Sequence, residues 1–157
     1  LETKFGGRDN AIAVYSRIAE AADAAGVDID FEGIKRTPNT LDAHRLIHWA
    51  GLEGRQTAIV SSLFRAYFKE CKDIGTHETL LNIAEYAGMD RAMTERLLQS
   101  DADADDIRAR DVHARERGVT GVPTFVVGNQ HVVPGAQPTD LWVKVLNDLA
   151  NPEPAAE

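Results

Sequence analysis

The hydrophobic period of this chain changes at Gly118, and that change narrows the folds open to it. Before it, apolar residues recur at spacings of three and four, the mark of helices that bury one face. After it, Thr124-Phe125-Val126-Val127 is β-branched and aromatic, Gly128-Asn129-Gln130 makes a turn, and His131-Val132-Val133 runs apolar again. The pattern is a hairpin with a three-residue loop, in which the glycine or the asparagine takes φ > 0. A two-stranded hairpin is marginal by itself. Either helices cover it, or strands that pair with it lie outside these residues.

The helical part punctuates itself. After a lead-in over residues 1–8, Asp9 or Asn10 caps a helix running to about Ala25, with Ile12, Tyr15, Ile18, Ala19 and Ala22 as its core stripe and Gly26 as its stop. Val27-Asp28-Ile29-Asp30-Phe31 alternates as a short half-buried strand does, or an extended loop. Asn39 caps a helix over residues 40–50 that Gly51 ends, and Asp42 lies in its first turn, where the helix dipole favours an acid. Val60, Leu63, Phe64, Tyr67, Phe68 and Cys71 make the fullest apolar stripe of the sequence. Thr76 caps a helix with Leu80, Leu81, Ala84 and Ala87 inward and Gly88 at its end; Asp90 opens a short one bearing Met93, Leu97 and Leu98. Residues 101–117 place four aspartates ahead of four arginines, the order the helix dipole prefers, and read as a solvated helix face. Thr139 caps a last helix with Leu141, Trp142, Val145, Leu146 and Leu149 inward. Trp49 and Trp142 read as core, and residues 151–157 as a disordered tail.

Composition removes several partners. The chain has 157 residues, the length of one domain, and a net charge of −8, which disfavours nucleic acid. No apolar run approaches the ~20 residues of a membrane span, so no membrane partner is expected. One cysteine, Cys71, rules out a disulfide within these residues, a Cys-x-x-Cys pair and a cysteine-rich zinc site. Cys71 ends an apolar stripe near a helix C-terminus, where the dipole disfavours a thiolate, so it reads as a core residue rather than a nucleophile. His44 and His48 stand one turn apart, but Arg45 occupies the place of the glutamate in His-Glu-x-x-His, and no metal is expected. His77, His113 and His131 read as surface residues without partners.

Residues 118–127, Gly-Val-Thr-Gly-Val-Pro-Thr-Phe-Val-Val, resemble the cis-proline loop of thioredoxin-fold proteins, where a Val-Pro bond precedes a hairpin and a final helix. Gly135-Ala136-Gln137-Pro138 and Pro38-Asn39-Thr40-Leu41-Asp42-Ala43-His44-Arg45-Leu46 are similar to motifs of the DsbA family of the FrnE type, and the three occur in family order. The resemblance implies an α-rich α/β fold: the C-terminal half of a thioredoxin-like fold, β-hairpin plus helices, with a large all-helical inserted domain. It assigns residues 1–38 and 118–150 to the thioredoxin-like part, 39–117 to the inserted domain and 151–157 to the tail. It also implies a strand, a helix bearing Cys-x-x-Cys and a second strand ahead of Leu1, whose lack in this sequence would leave the hairpin unpartnered.

The function this implies is that of a DsbA/FrnE-like thiol–disulfide oxidoreductase with its redox cysteines outside these residues. The chain alone would then be inactive, and none of its residues is assigned a catalytic role. Protein disulfides or dithiols, or glutathione, are the implied partners; no cofactor is expected, and the resemblance favours a cytoplasmic location. Val122, Pro123 and Thr124 are the implied substrate-binding loop, where backbone before the proline offers a short edge to an extended chain. Asn39, Thr40 and His44 are expected to face the active-site groove; read for structure alone, they are a helix cap and a surface histidine, and Pro123 is a strand entry. Two other functions stay open. One is a glutathione-dependent isomerase or kappa-class transferase-like enzyme, told apart by an upstream serine in place of cysteine; the other is a non-catalytic helical interaction module. Without further strands, the hairpin's unpaired edges favour self-association.

Overall fold

The computed structural model describes residues 8–128 and 131–151. The lead-in over residues 1–7, the turn residues Asn129 and Gln130, the tail over 152–157, and the side chains of residues 8–12, 14 and 15, with the expected cap at Asp9 or Asn10 and the stripe positions Ile12 and Tyr15 among them, lie outside the described residues. The elements in chain order are α1 (Arg8–Ala24), α2 (Leu41–Leu52), α3 (Gln56–Phe68), α4 (His77–Tyr86), α5 (Arg91–Leu98), α6 (Ala104–Glu116), β1 (Thr124–Val127), β2 (His131–Pro134) and α7 (Thr139–Ala150). They divide into two compact units, residues 1–108 and 109–157, with the boundary inside α6.

The first unit holds the core. Ala43, Leu46 and Ala50 recur at three and four residues along α2, as do Ile59, Leu63 and Ala66 along α3, and Leu80, Leu81, Ile83 and Ala84 face them from α4. Leu46, Ile59 and Leu80 are fully buried, so trimming any of them to alanine costs about 2–5 kcal/mol. Two caps follow the sequence closely: Thr79 N–H donates to Thr76 Oγ1 at 3.4 Å, and Met93 N–H to Asp90 Oδ1 at 2.6 Å. α2 runs through Gly51 to Leu52, one residue past the expected stop, and the left-handed turn falls on Gly54 at φ +71°. Gly88, at φ +82°, ends α4 as expected, with Met89 N–H donating to Ala84 O at 2.9 Å.

Several expectations need correction. Residues 27–31 form no strand. Asp30 N–H makes one bond to Phe68 O (3.0 Å) while Asp30 Oδ1 accepts from Gly33 N–H (2.8 Å), so residues 27–30 run as a loop, the other reading of the alternation, and the chain turns at 31–33. Ile18 of the α1 stripe is 43% exposed. The stripe expected on α3 is buried only at Leu63; Phe64 is 60% exposed, and Val60, Tyr67 and Phe68 are half-buried. The core takes the neighbouring row Ile59–Leu63–Ala66, so α3 is apolar on two faces. On α5, Met93 is exposed and Thr94 buried in its place, its hydroxyl donating to Asp90 O at 2.8 Å.

In the second unit, β1 and β2 pair antiparallel with Thr124 opposite Pro134 and Val127 opposite His131. Gly128 opens the turn at φ +60°. Phe125 meets Trp142 of α7 edge to face, with centroids 4.8 Å apart. Among the described residues of 109–151 none is buried. The inward row expected on α7 is therefore only half-covered at Trp142 and Val145 and exposed at Leu141, Leu146 and Leu149, because two strands offer a helix too narrow a surface. Pro138, not Thr139, stands at the cap position of α7, and no side chain caps it.

Candidate functional site

The hairpin unit presents its loop through backbone geometry. The Val122–Pro123 peptide bond is cis, and Val122 is 91% exposed. Thr124 Oγ1 donates back to Gly121 O at 2.7 Å, and Gly135 N–H donates to Pro123 O at 2.7 Å. These two bonds pin the loop on either side of Val122, whose own N–H and C=O take part in no hydrogen bond among the described residues. A backbone pair left free next to an ordered strand is a short edge that an extended chain can bond. Val122, Pro123 and Thr124 are thus together in this unit, the first two exposed and Thr124 half-buried.

The other expected residues meet at the entry to α2. Asn39 Oδ1 accepts from Leu41 N–H at 3.0 Å, so its side chain serves the helix end. Thr40 and His44, one turn apart, line a cleft of about 280 Å³ whose far wall is Phe64, Tyr67 and Phe68 of α3. Asn39 does not line it.

One residue of this segment carries more than the sequence suggested. Arg45 is 3% exposed and spends its guanidinium on the far end of the unit. Nε donates to Ala102 O, and Nη2 to Leu97 O and Ser100 O, each at 2.7 Å, while Nη1 donates to Asp42 Oδ1 at 2.8 Å. Its Cζ sits 4.9 Å from the Trp49 ring centroid, and Trp49 Nε1 donates to Asp103 Oδ2 at 2.8 Å. Arg45 thereby supplies a donor to Ser100 O and Ala102 O in the turn after α5, and a further one to Leu97 O, which Ser100 already bonds. Asp42 also meets His77 Nε2 through Oδ2 at 3.1 Å, which corrects the reading of His77 as unpartnered. Partial burial pushes the Asp42 carboxyl upward, but the hydrogen bonds and charges of Arg45 and His77 outweigh it and hold it below the usual carboxylate value. The i, i+3 spacing of Asp42 and Arg45 was visible in sequence; the three carbonyls, more than fifty residues on, were not.

Cys71 is not the last residue of a helical stripe. α3 ends at Phe68, and Cys71 lies beyond it in a half-buried turn at φ +52°. Its thiol lies 3.4 Å from Asp30 Oδ2 and 3.6 Å from Asp30 O. Partial burial first, and then the adjacent Asp30 carboxylate, push the thiol's pKa up, away from the reactive thiolate. Among the described residues no group of three or more His, Cys, Asp and Glu side chains is placed to hold a metal ion. No helix among them is long and apolar enough to cross a membrane.

A family model described as the DSBA-like thioredoxin domain matches residues 8–147. YwbO of Bacillus subtilis (strain 168), an uncharacterized protein, is 32% identical over 132 residues, covering 83% of this chain and 66% of that one. The chain therefore spans just under two thirds of that relative's length. A probable DsbA oxidoreductase from Streptomyces coelicolor superposes with a TM-score of 0.81 at 29% identity, over 98% of this chain and 67% of its own. 2-Hydroxychromene-2-carboxylate isomerase superposes with a TM-score of 0.74 over 90% of this chain and 68% of its own; at 23% identity that likeness is one of fold.

Proposed function

This chain belongs to the DSBA-like thioredoxin domain family, and from that premise we propose that it is part of a thiol–disulfide oxidoreductase of the FrnE type whose redox cysteines lie outside these 157 residues. The observation that carries the reading is the Val122–Pro123 loop: an exposed residue with free backbone groups, pinned on both sides, at the entry to a hairpin. Such an edge suits an extended polypeptide or glutathione held beside a mixed disulfide. Thr40 and His44 line the cleft that receives a substrate group, and Asn39 fixes the helix end that presents them. Cys71 takes no part: its thiol lies against the Asp30 carboxylate, which together with partial burial disfavours the thiolate. The compartment assigned to this activity is the cytoplasm, and the substrates are protein disulfides or dithiols.

The test is an insulin-reduction assay on the 157-residue chain, alone and with dithiothreitol. No acceleration over dithiothreitol is expected. Clear catalysis by this chain, abolished by Cys71→Ser, would overturn the assignment of the chemistry to residues outside it.

A further inference from the structure

A groove of about 510 Å³ runs between α3 and α4, lined by none of the residues assigned to substrate binding. Its floor is apolar, because Ala66 and Ile83 are buried there. Tyr86, the last residue of α4, adds a ring at a 79% exposed position. The chain after α3 closes the groove. Lys72 N–H donates back to Ala66 O at 2.8 Å through the left-handed turn at Cys71, so residues 70–72 curl toward the last turn of α3 instead of leaving it.

The charges of this lining do not cancel. Lys72 Nζ pairs with Glu70 Oε2 at 2.7 Å, and Glu70 is the one acid that lines the groove. Arg65 lines it too, and its side chain makes no ion pair or hydrogen bond among the described residues. One positive charge is therefore left over above an apolar floor. Charges more than ~8 Å away are largely screened at physiological salt, so this local excess, rather than the net charge of −8, decides what enters. The amide of Asn82 is spent on Glu78 and Arg91. Ser62, one turn before Arg65 on the same face of α3, keeps a hydroxyl with no bond among the described residues. One excess cation matches a monoanion, and a guanidinium holds a carboxylate through two parallel hydrogen bonds. The floor rewards a guest whose remaining part is apolar, which a bare inorganic ion lacks. We propose that this groove binds a small free monocarboxylate with an apolar tail, the carboxylate on Arg65 and Ser62 and the tail over Ala66, Ile83 and the Tyr86 ring. The proposal goes beyond the oxidoreductase reading and shares no residue with it, so either can fail while the other stands.

Hexanoate is the probe. Saturation-transfer NMR on the 157-residue chain at pH 7 is expected to show saturable hexanoate binding, with Kd on the order of 1 mM. Hexanamide, the same tail without the charge, is expected to bind the unaltered chain at least about fivefold more weakly. Arg65→Met, at an exposed position, is expected to weaken hexanoate about fivefold while leaving the helical circular dichroism unchanged. Glu70→Gln is expected to tighten it about twofold, because it removes the acid of the lining and releases Lys72. Lys144→Met removes a positive charge on α7, outside the groove, and is expected to leave binding unchanged. Absence of saturable hexanoate binding, hexanamide binding as tightly as hexanoate, full binding by Arg65→Met, or weaker binding by Glu70→Gln would each overturn the proposal. The hexanamide comparison needs no variant, so the proposal stays open to refutation even if a substitution disturbs the fold.

Discussion

Replacing Arg45 with methionine keeps an unbranched apolar stem, ends it short of the guanidinium and removes all five donors. Three carbonyls and one carboxylate then lose a partner. Leu97 O retains Ser100 N–H at 3.2 Å and Ser100 Oγ at 2.8 Å, and Asp42 is partly exposed and keeps His77, so these two are compensated. Ser100 O and Ala102 O lose the charged donor Arg45 supplies, each costing about 1–3 kcal/mol. Loss of the cation over the Trp49 face adds up to about 1–2 kcal/mol. These contributions add to about 2–8 kcal/mol, centred on the about 3–5 kcal/mol of breaking a buried charged network and a large share of a typical 5–15 kcal/mol total. In urea unfolding followed by circular dichroism, with a slope of about 2 kcal/mol per molar, the midpoint should fall by roughly 2 M. Arg45→Lys should recover only part of this, because an ammonium cannot reach three carbonyls and a carboxylate from one planar fork. A drop below about 0.5 M for Arg45→Met would refute the argument, since it would mean that those carbonyls find water or that the network carries no net stability.

Three further outcomes are expected. Asp42 has a depressed pKa in the folded chain, so its contribution is complete above the unfolded value near pH ~4 and is lost as pH falls through the lower folded value. The Tm gap between wild type and Asp42→Asn should therefore be widest at neutral pH and close as pH falls through the folded value, and a gap independent of pH into the acid range would contradict the assignment. The Cys71 thiol should react with iodoacetamide at pH 8 more slowly than a free cysteine, and Asp30→Asn should speed it; labelling at the free rate would show that Asp30 does not restrain it. Val126 and Val132, opposite each other across the hairpin and 62% and 63% exposed, should drive self-association of this chain. Sedimentation equilibrium at ~100 μM should show species above 17.2 kDa, reduced by Val126→Lys, and a clean monomer would count against it.

Local chemistry was legible in the sequence where a few neighbouring residues decide the outcome. Thr76 and Asp90 cap their helices because each side chain needs only the amide three residues on, and the hairpin register follows from alternation beside a glycine turn. The candidate residues at 39–44 and 122–124 were named from motifs, and the structure gives them local geometry of their own: an Asx bond, a cleft wall, an exposed backbone edge. What sequence could not supply is partner choice at long range. α3 offers apolar residues over more than half its circumference, so periodicity alone does not say which row meets α2 and α4. The same limit hid Arg45, which looks like one half of a surface i, i+3 pair until Ala102, Ser100 and Leu97 are brought to it. The alternation at residues 27–31 misled for a related reason, because alternation makes a strand only where a second strand accepts it.

Every fully buried residue among those described falls between Ala43 and Ala104, while the loop at Val122–Thr124 lies in a unit without one. Evolution can therefore tune the two regions almost separately. A substitution at Leu46, Leu80 or Arg45 lowers the amount of folded protein whatever else it does, whereas one at the exposed Val122, Val126 or Val132 is expected to cost little folded protein. In a scan of all positions scored for both abundance and activity, helices α2–α5 should set abundance, and the hairpin should be the place where new specificities arise.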